Sequence, residues 1–319
     1  MSDSIRPVFV VGCQRSGSTL LGSMLGGHSK IICAPESHFI VDLMPSLDPR
    51  HPVDLAEVID KVDQHWRFRL WEYDLGSERP DSASLEPVYA NAIHWLMKRY
   101  GAAHDRADAK IWVDHQPGHV RFVWRLKQHF PEAKFIHIVR DGRAVAASLM
   151  PLDWGPNEIL SATRFWMRRV VQGYAAGAYL GPNDLMHVRF EDLVSDPEAT
   201  MAQISQFVGV DFESGMLTSS GLKLPKFTHN HHKLVGSNPA KDRTDAWRNK
   251  LTQREIEIFE GITCDLLPIL GYEPICDRLL ANDWFAVSTQ EEVRRIALNQ
   301  FKKIGNKFSF WQRQRPYAK

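Results

Sequence analysis

Four short apolar runs punctuate the chain: Val8 to Val11, Lys110 to Val113, Phe135 to Val139 and Leu185 to Val188. Their hydrophobic positions are consecutive, not alternating, which predicts strands buried on both faces, as in a parallel sheet. Between them the pattern shifts to helical spacing, over Ser18 to Leu25, Leu85 to Tyr100, His119 to Phe130, Asp141 to Met150 and Ala199 to Val208. The last of these places Met201, Ile204, Phe207 and Val208 on one face. Strands alternating with helices predict an α/β fold, a three-layer arrangement of a parallel sheet flanked by helices.

Residues 40–109 break this rhythm with a mostly helical stretch rich in tryptophan, histidine and charge, including His65 to Asp74. Such an insertion lies over the active face of the sheet and carries substrate choice, or it simply covers a sheet edge.

Composition narrows the function classes. With 39 basic and 38 acidic side chains there is no global field to recruit nucleic acid, so an anionic ligand has to be held by local clusters. Cys13, Cys33, Cys264 and Cys276 are scattered without a C-x-x-C pair, which signals free thiols in a reducing compartment. The amino-terminal apolar run is short and leads straight into a glycine turn, unlike a secretory leader, and no segment has the unbroken apolar length of a membrane span. A soluble, cytoplasmic protein is expected. From Gln290 onward eight Lys or Arg residues interleave with Phe301, Ile304, Phe308, Phe310 and Trp311. The expectation for residues 276–319 is a helical basic tail, either docked on the domain or in peripheral contact with an anionic membrane.

The chemistry begins at the first strand. Gly12, Gly17 and Thr19 keep the spacing of a nucleotide P-loop, yet Ser18 stands where its lysine belongs and the nearest cation is Arg15. A glycine turn opening a helix presents unpartnered N–H groups and partial positive charge to an anion. Without the lysine, and with Asp114 as the sole downstream strand-end candidate for a metal aspartate, the loop suits a terminal group of lower charge than a γ-phosphate, such as a sulfuryl group. A second strand, turn and helix, Lys134 to Met150, sets Arg140 at the strand end and Ser148 two turns into the helix. The guanidinium fork and the hydroxyl can converge on one phosphate, although Arg-Asp at a helix start is also an ordinary cap.

Together, Cys13 to Leu21, Phe135 to Ser148, Val188 to Leu193 and Trp247 to Thr252 resemble, in order and spacing, the sulfotransferases that use 3′-phosphoadenosine 5′-phosphosulfate (PAPS). The resemblance runs over roughly residues 6–272 and implies the P-loop-like sulfotransferase fold, in a domain of residues 1–275 with residues 40–109 inserted. It also implies that Arg15, Ser16, Gly17, Ser18 and Thr19 cradle the 5′-phosphosulfate, that Arg140 and Ser148 hold the 3′-phosphate, and that no metal is needed. Phe190 stands where the family often has a tyrosine at the adenine. Lys241 aligns with the Arg-Lys-Gly loop, with Arg243 as a substitute.

Sulfuryl transfer to an alcohol or amine needs a cation at the leaving phosphate, in-line placement and a base. Arg15 fills the first role. Glu36 and His115 both lie where branches of the family carry their base, with Asp114 and His38 as neighbours. Each also has a structural reading, Glu36 as a helix cap and His115 as a hydrogen-bonded strand end. His229, His231 and His232 lack the helical spacing and acidic company of a metal site. The acceptor is a small molecule, carbohydrate or lipid. The competing readings are a Mg²⁺-dependent phosphotransferase or NTPase, and a nucleotide-binding protein without turnover.

Overall fold

The computed structural model describes residues 5–44, 50–218, 220–222 and 244–276. Five parallel strands form one sheet: β1 (Arg6–Gly12), β2 (Ile31–Cys33), β3 (Ile111–Asp114), β4 (Lys134–Val139) and β5 (Leu185–Arg189), in the order β2-β3-β1-β4-β5. From β1 the chain crosses to the edge strand β2, returns to β3 beside β1, and then passes to β4 and β5 on the other side of β1. The strand order therefore reverses around β1, and the crevice at the carboxyl ends of β3, β1 and β4 is where an open α/β sheet binds ligands.

Burial on both faces of β1 explains its unbroken apolar run. Val8 and Val10 pack with Leu21, Met24 and Leu25 of α1 (Ser18–Leu25) and with Met201 and Ile204 of α10 (Pro197–Val208). Phe9 and Val11 point the other way, into a core shared with Ile59 of α3 (Leu55–Gln64), Ile93 and Leu96 of α5 (Tyr89–Ala102) and Leu126 of α6 (Val123–His129). A third cluster, at the carboxyl edge, joins α7 (Gly142–Leu149), α8 (Ile159–Leu180) and α11 (Gln253–Thr263) around Trp166, Trp247 and Phe259.

Between β2 and β3 run α2 (His38–Asp42), α3, α4 (Trp66–Arg69) and α5, with no strand among the described residues of that stretch. The expected helix over His119 to Phe130 is divided into a 3-10 turn, Pro117–Phe122, and then α6. Gln116 caps the turn by accepting the Gly118 N–H, and Pro117 opens it. No helix among the described residues is long and apolar enough to cross a membrane. Lys241, Arg243, the three histidines from His229 to His232 and the basic tail beyond residue 276 lie outside the described residues.

Candidate active site

The loop after β1 ends on Gly17, the amino-terminal cap of α1, which offers no side chain to cap it. Gly17 has φ 98°, and a Cβ there would lie 2.5 Å from the Phe190 ring. Only glycine allows both that backbone and that approach. The first N–H groups of α1 have no side-chain cap, and the buried hydroxyl of Ser16 has no hydrogen-bond partner among the described residues. Ser18 and Thr19 line the same turn and are buried.

Arg15 adopts a left-handed backbone, φ 70°, which is uncommon for a residue with a Cβ. Two contacts hold it there: its Nε donates to Ser148 Oγ at 3.0 Å, and its carbonyl accepts from Arg140 Nη1 at 3.0 Å. The two anion sites expected at opposite ends of a ligand therefore adjoin directly through Arg15. Arg140 lies just beyond β4, and its guanidinium stacks on Phe190 at 4.3 Å. Burial pulls the Arg140 pKa below the ordinary guanidinium value; Glu191 opposes the shift and the nearby Arg15 charge adds to it. Two cations this close favour an anion between them. Phe190, the first residue of α9 (Phe190–Ser195), is buried beneath Arg140 and Gly17, so its ring shapes the loop from below.

The remaining motif residues build the frame. Asp141 caps α7 by accepting the Arg143 N–H, as the ordinary reading of Arg-Asp predicts. Glu191 accepts from the Asp141 N–H at 3.0 Å and from the Tyr272 hydroxyl at 2.9 Å, so the segments around β4, β5 and residue 272 are tied together. Trp247 lies under the Arg143 guanidinium at 4.2 Å, and Arg143 reaches Asp141 and Glu260.

Beyond β3 the candidate bases part company. His115 is 2% exposed, packs against Gly22 of α1, and neither ring nitrogen has a partner among the described residues. Glu36, in the turn between β2 and α2, keeps a side chain 32% exposed. Its carbonyl accepts from Trp71 Nε1 at 3.3 Å, and its carboxylate lies 3.4 Å from His38 Nε2.

Asp114 ends β3 as a fully buried carboxylate and joins the two segments. Oδ1 accepts from the N–H groups of Ser37 (3.2 Å) and Gln116 (3.3 Å), and Oδ2 meets His119 Nδ1 at 2.7 Å. Burial alone would raise its pKa, but His119, the Ser37 contact and His115 together hold it below the ordinary carboxylate value. Asp114, read from sequence as a possible metal aspartate, thus braces two loops. Asp114→Ala is expected to cost about 3–5 kcal/mol in denaturant unfolding, as for other broken buried pairs. A depressed carboxylate stabilises above its unfolded pKa and loses that contribution as pH falls through the folded value. The gap between wild type and variant should therefore close below about pH 4.

The comparisons with known proteins agree with this geometry. The family model described as "Sulfotransferase family" matches residues 7–214, from β1 to the turn after α10. The chain belongs to the sulfotransferase family. One relative is the protein-tyrosine sulfotransferase A of Caenorhabditis elegans, 26% identical over 216 residues, covering 66% of this chain and 51% of that protein. The chain thus spans about half the length of that relative. The nodulation protein NoeE of Sinorhizobium fredii is 26% identical over 306 residues, 86% of this chain and 68% of that one. The sulfotransferase domain of the Synechococcus PCC 7002 olefin synthase shares the fold, with a TM-score of 0.57 and 22% identity over 85% of this chain and 96% of that domain.

Proposed function

We propose that the chain transfers a sulfuryl group from PAPS to an acceptor hydroxyl, without a metal. The observation that carries this reading is that Arg15 and the uncapped start of α1 directly adjoin Arg140 and Ser148, with the buried Ser16 hydroxyl lacking a hydrogen-bond partner among the described residues. These donors fit a phosphosulfate and a second phosphate. PAPS supplies an activated S–O bond whose leaving group is a phosphate.

In this reading the turn from Arg15 to Thr19 grips the 5′ end through main-chain N–H groups and hydroxyls, and Arg15 offsets charge developing on the leaving oxygen. Arg140 and Ser148, with Lys241, take the 3′-phosphate, and Phe190 acts by holding Arg140 and the turn in place. Glu36 takes the acceptor proton, because its carboxylate reaches solvent whereas His115 is enclosed. Ser16, in the turn itself, offers its hydroxyl to the bound anion. The acceptor lies against the helical segment that carries Trp66 and Trp71. A hydroxyl is the acceptor group in the tyrosine-modifying relative as well, by that protein's name.

Calorimetry tests the donor. Adenosine 3′,5′-bisphosphate should bind more than about tenfold tighter than AMP, a gap of at least about 1.4 kcal/mol, and sulfuryl transfer from radiolabelled PAPS should persist in EDTA. Equal affinity for the two nucleotides would overturn the reading, and ATP turnover restored by Mg²⁺ would favour the phosphotransferase.

A further inference from the structure

Arg121, Arg168 and Arg169 form a group of like charges outside the phosphate turn. Arg121 lies near the end of the 3-10 turn, Pro117–Phe122, that follows β3, and Arg168 and Arg169 lie in α8, which packs against that turn. The groups whose charge acts on Arg169 are Arg121, Arg168 and the Cys13 thiol, and no carboxylate is among them. Burial pushes the Cys13 thiol pKa up, so the thiol stays neutral and supplies no counter-charge. None of the three arginines makes an ion pair among the described residues. Guanidiniums gathered in this way repel one another, and an anion between them offsets the repulsion. Two aromatic rings hold them in place: the Arg169 guanidinium lies 4.9 Å over Phe165, one turn earlier on α8, and that of Arg121 lies 4.9 Å over Phe122. Arg169 Nη1 donates to Gln172 at 3.1 Å, whereas its Nε is buried with no hydrogen-bond partner among the described residues. A guanidinium stacked on a ring keeps its N–H edge for a planar oxyanion.

The group stands at the level of the candidate active site. Trp166, one turn before Arg169 on α8, donates its indole N–H to the Arg140 carbonyl at 3.1 Å. Cys13 directly precedes Gln14 and Arg15, and a Cβ at Gly118 in the 3-10 turn would lie 3.3 Å from the Gln14 amide nitrogen. Val120 of that turn joins the core shared by α3 and α5, and Ala176 and Leu180 of α8 pack against it, so both elements lie on that face of the sheet. α1, whose start grips the phosphosulfate in the proposed reading, packs on the opposite face. The three arginines are therefore on the acceptor side of the phosphate turn.

We propose that Arg121, Arg168 and Arg169 bind an oxyanion carried by the acceptor itself, a carboxylate or a sulfate set apart from the hydroxyl that receives the sulfuryl group. This inference rests on the sulfuryl-transfer reading and narrows it: the preferred acceptors are anionic hydroxyl compounds, and a neutral alcohol is a poor one. Holding the second group against α8 fixes the direction from which the hydroxyl approaches the phosphate turn.

Calorimetry on the full chain saturated with adenosine 3′,5′-bisphosphate, which fills the nucleotide's own anion sites, tests this with two phenols that differ in charge, 4-hydroxyphenylacetate and 4-hydroxyphenylacetamide. The acid should bind at least about tenfold tighter than the amide, the low end for a hydrogen bond to a charged group. That advantage should shrink as sodium chloride is raised. 4-Hydroxybenzenesulfonate, run beside them, separates a carboxylate from a sulfate-like group as the preferred anion. In the double variant Arg121→Gln, Arg169→Gln the ratio of acid to amide affinity should fall to within about twofold of unity, and the ratio of their kcat/KM values in transfer from PAPS should collapse with it. Affinity for adenosine 3′,5′-bisphosphate should stay within about twofold of wild type, which also reports that the variant is folded. Arg169→Lys, which keeps the charge, should retain most of the preference. No preference for either acid in the wild-type chain, or a preference that survives in the double variant, overturns the proposal. If the double variant keeps the preference and instead loses binding to phosphatidylserine vesicles, the arginines face a membrane and the proposal falls. Where adenosine 3′,5′-bisphosphate binds tighter than AMP but the acid and amide behave alike, only this inference is lost; where the two nucleotides bind equally, the sulfuryl-transfer reading itself is lost.

Discussion

Arg15→Ala is expected to lower kcat/KM for sulfuryl transfer by roughly 10²–10³-fold, the loss measured when one preorganised donor is removed from a developing oxyanion. Three features converge on this residue. It is the cation of the turn, its Nε reaches Ser148, and its carbonyl is gripped by Arg140. Its left-handed backbone adds a way to separate charge from scaffold. Arg15→Gly removes the same cation but suits φ 70° better than alanine does, so it should melt at or above the wild-type temperature while being just as inactive. Arg15→Lys should recover part of the rate, since it keeps the charge but not the planar fork that reaches Ser148. Thermal melts and initial rates on the three variants check the set; an Arg15→Gly enzyme that turns over normally would show that the leaving phosphate is stabilised elsewhere.

The second large effect is expected at Glu36. Glu36→Gln keeps the shape and the Trp71 contact to the backbone but cannot accept a proton, so kcat should fall by about 10²-fold or more. Affinity for adenosine 3′,5′-bisphosphate should be unchanged, because Glu36 lies on the far side of the β1 turn from Arg140. Single-turnover transfer with radiolabelled PAPS, alongside calorimetry, separates the two. His115→Asn provides the contrast: if it alone abolishes transfer while Glu36→Gln does not, the enclosed imidazole is the base.

The sequence carried the sheet and the loop because both are local. β1, β3, β4 and β5 are buried on two faces and so stand out as apolar runs, and the turn from Arg15 to Thr19 is a contiguous pattern. Ile31–Cys33 escaped because three residues are too few to register as a run. The 22-residue α8 escaped for a different reason. It holds Gly173 and Gly177, poor helix formers whose presence is explained by tertiary packing: a Cβ at Gly173 would lie 2.2 Å from the His137 ring and one at Gly177 2.6 Å from His187. Propensity reads such glycines as breaks when they are docking points. The candidate site could be named from the sequence residue by residue but not as a geometry. Nothing in the spacing of Ser37, Gln116 and His119 shows that the buried carboxylate of Asp114 gathers them, and nothing at Arg15 and Ser148, 133 positions apart, shows that they touch.

The indole of Trp71 links chemistry to recognition in a way that matters for redesign. It belongs to the helical stretch between β2 and β3, is wedged among Phe39, Phe68 and Tyr100, and ends on the backbone of Glu36. A chimera that grafts that stretch from a homologue to change acceptor preference would also replace the prop beneath the base. Grafts that preserve the indole and its aromatic neighbours should exchange preference at little loss of rate, whereas those that discard them would trade selectivity against turnover.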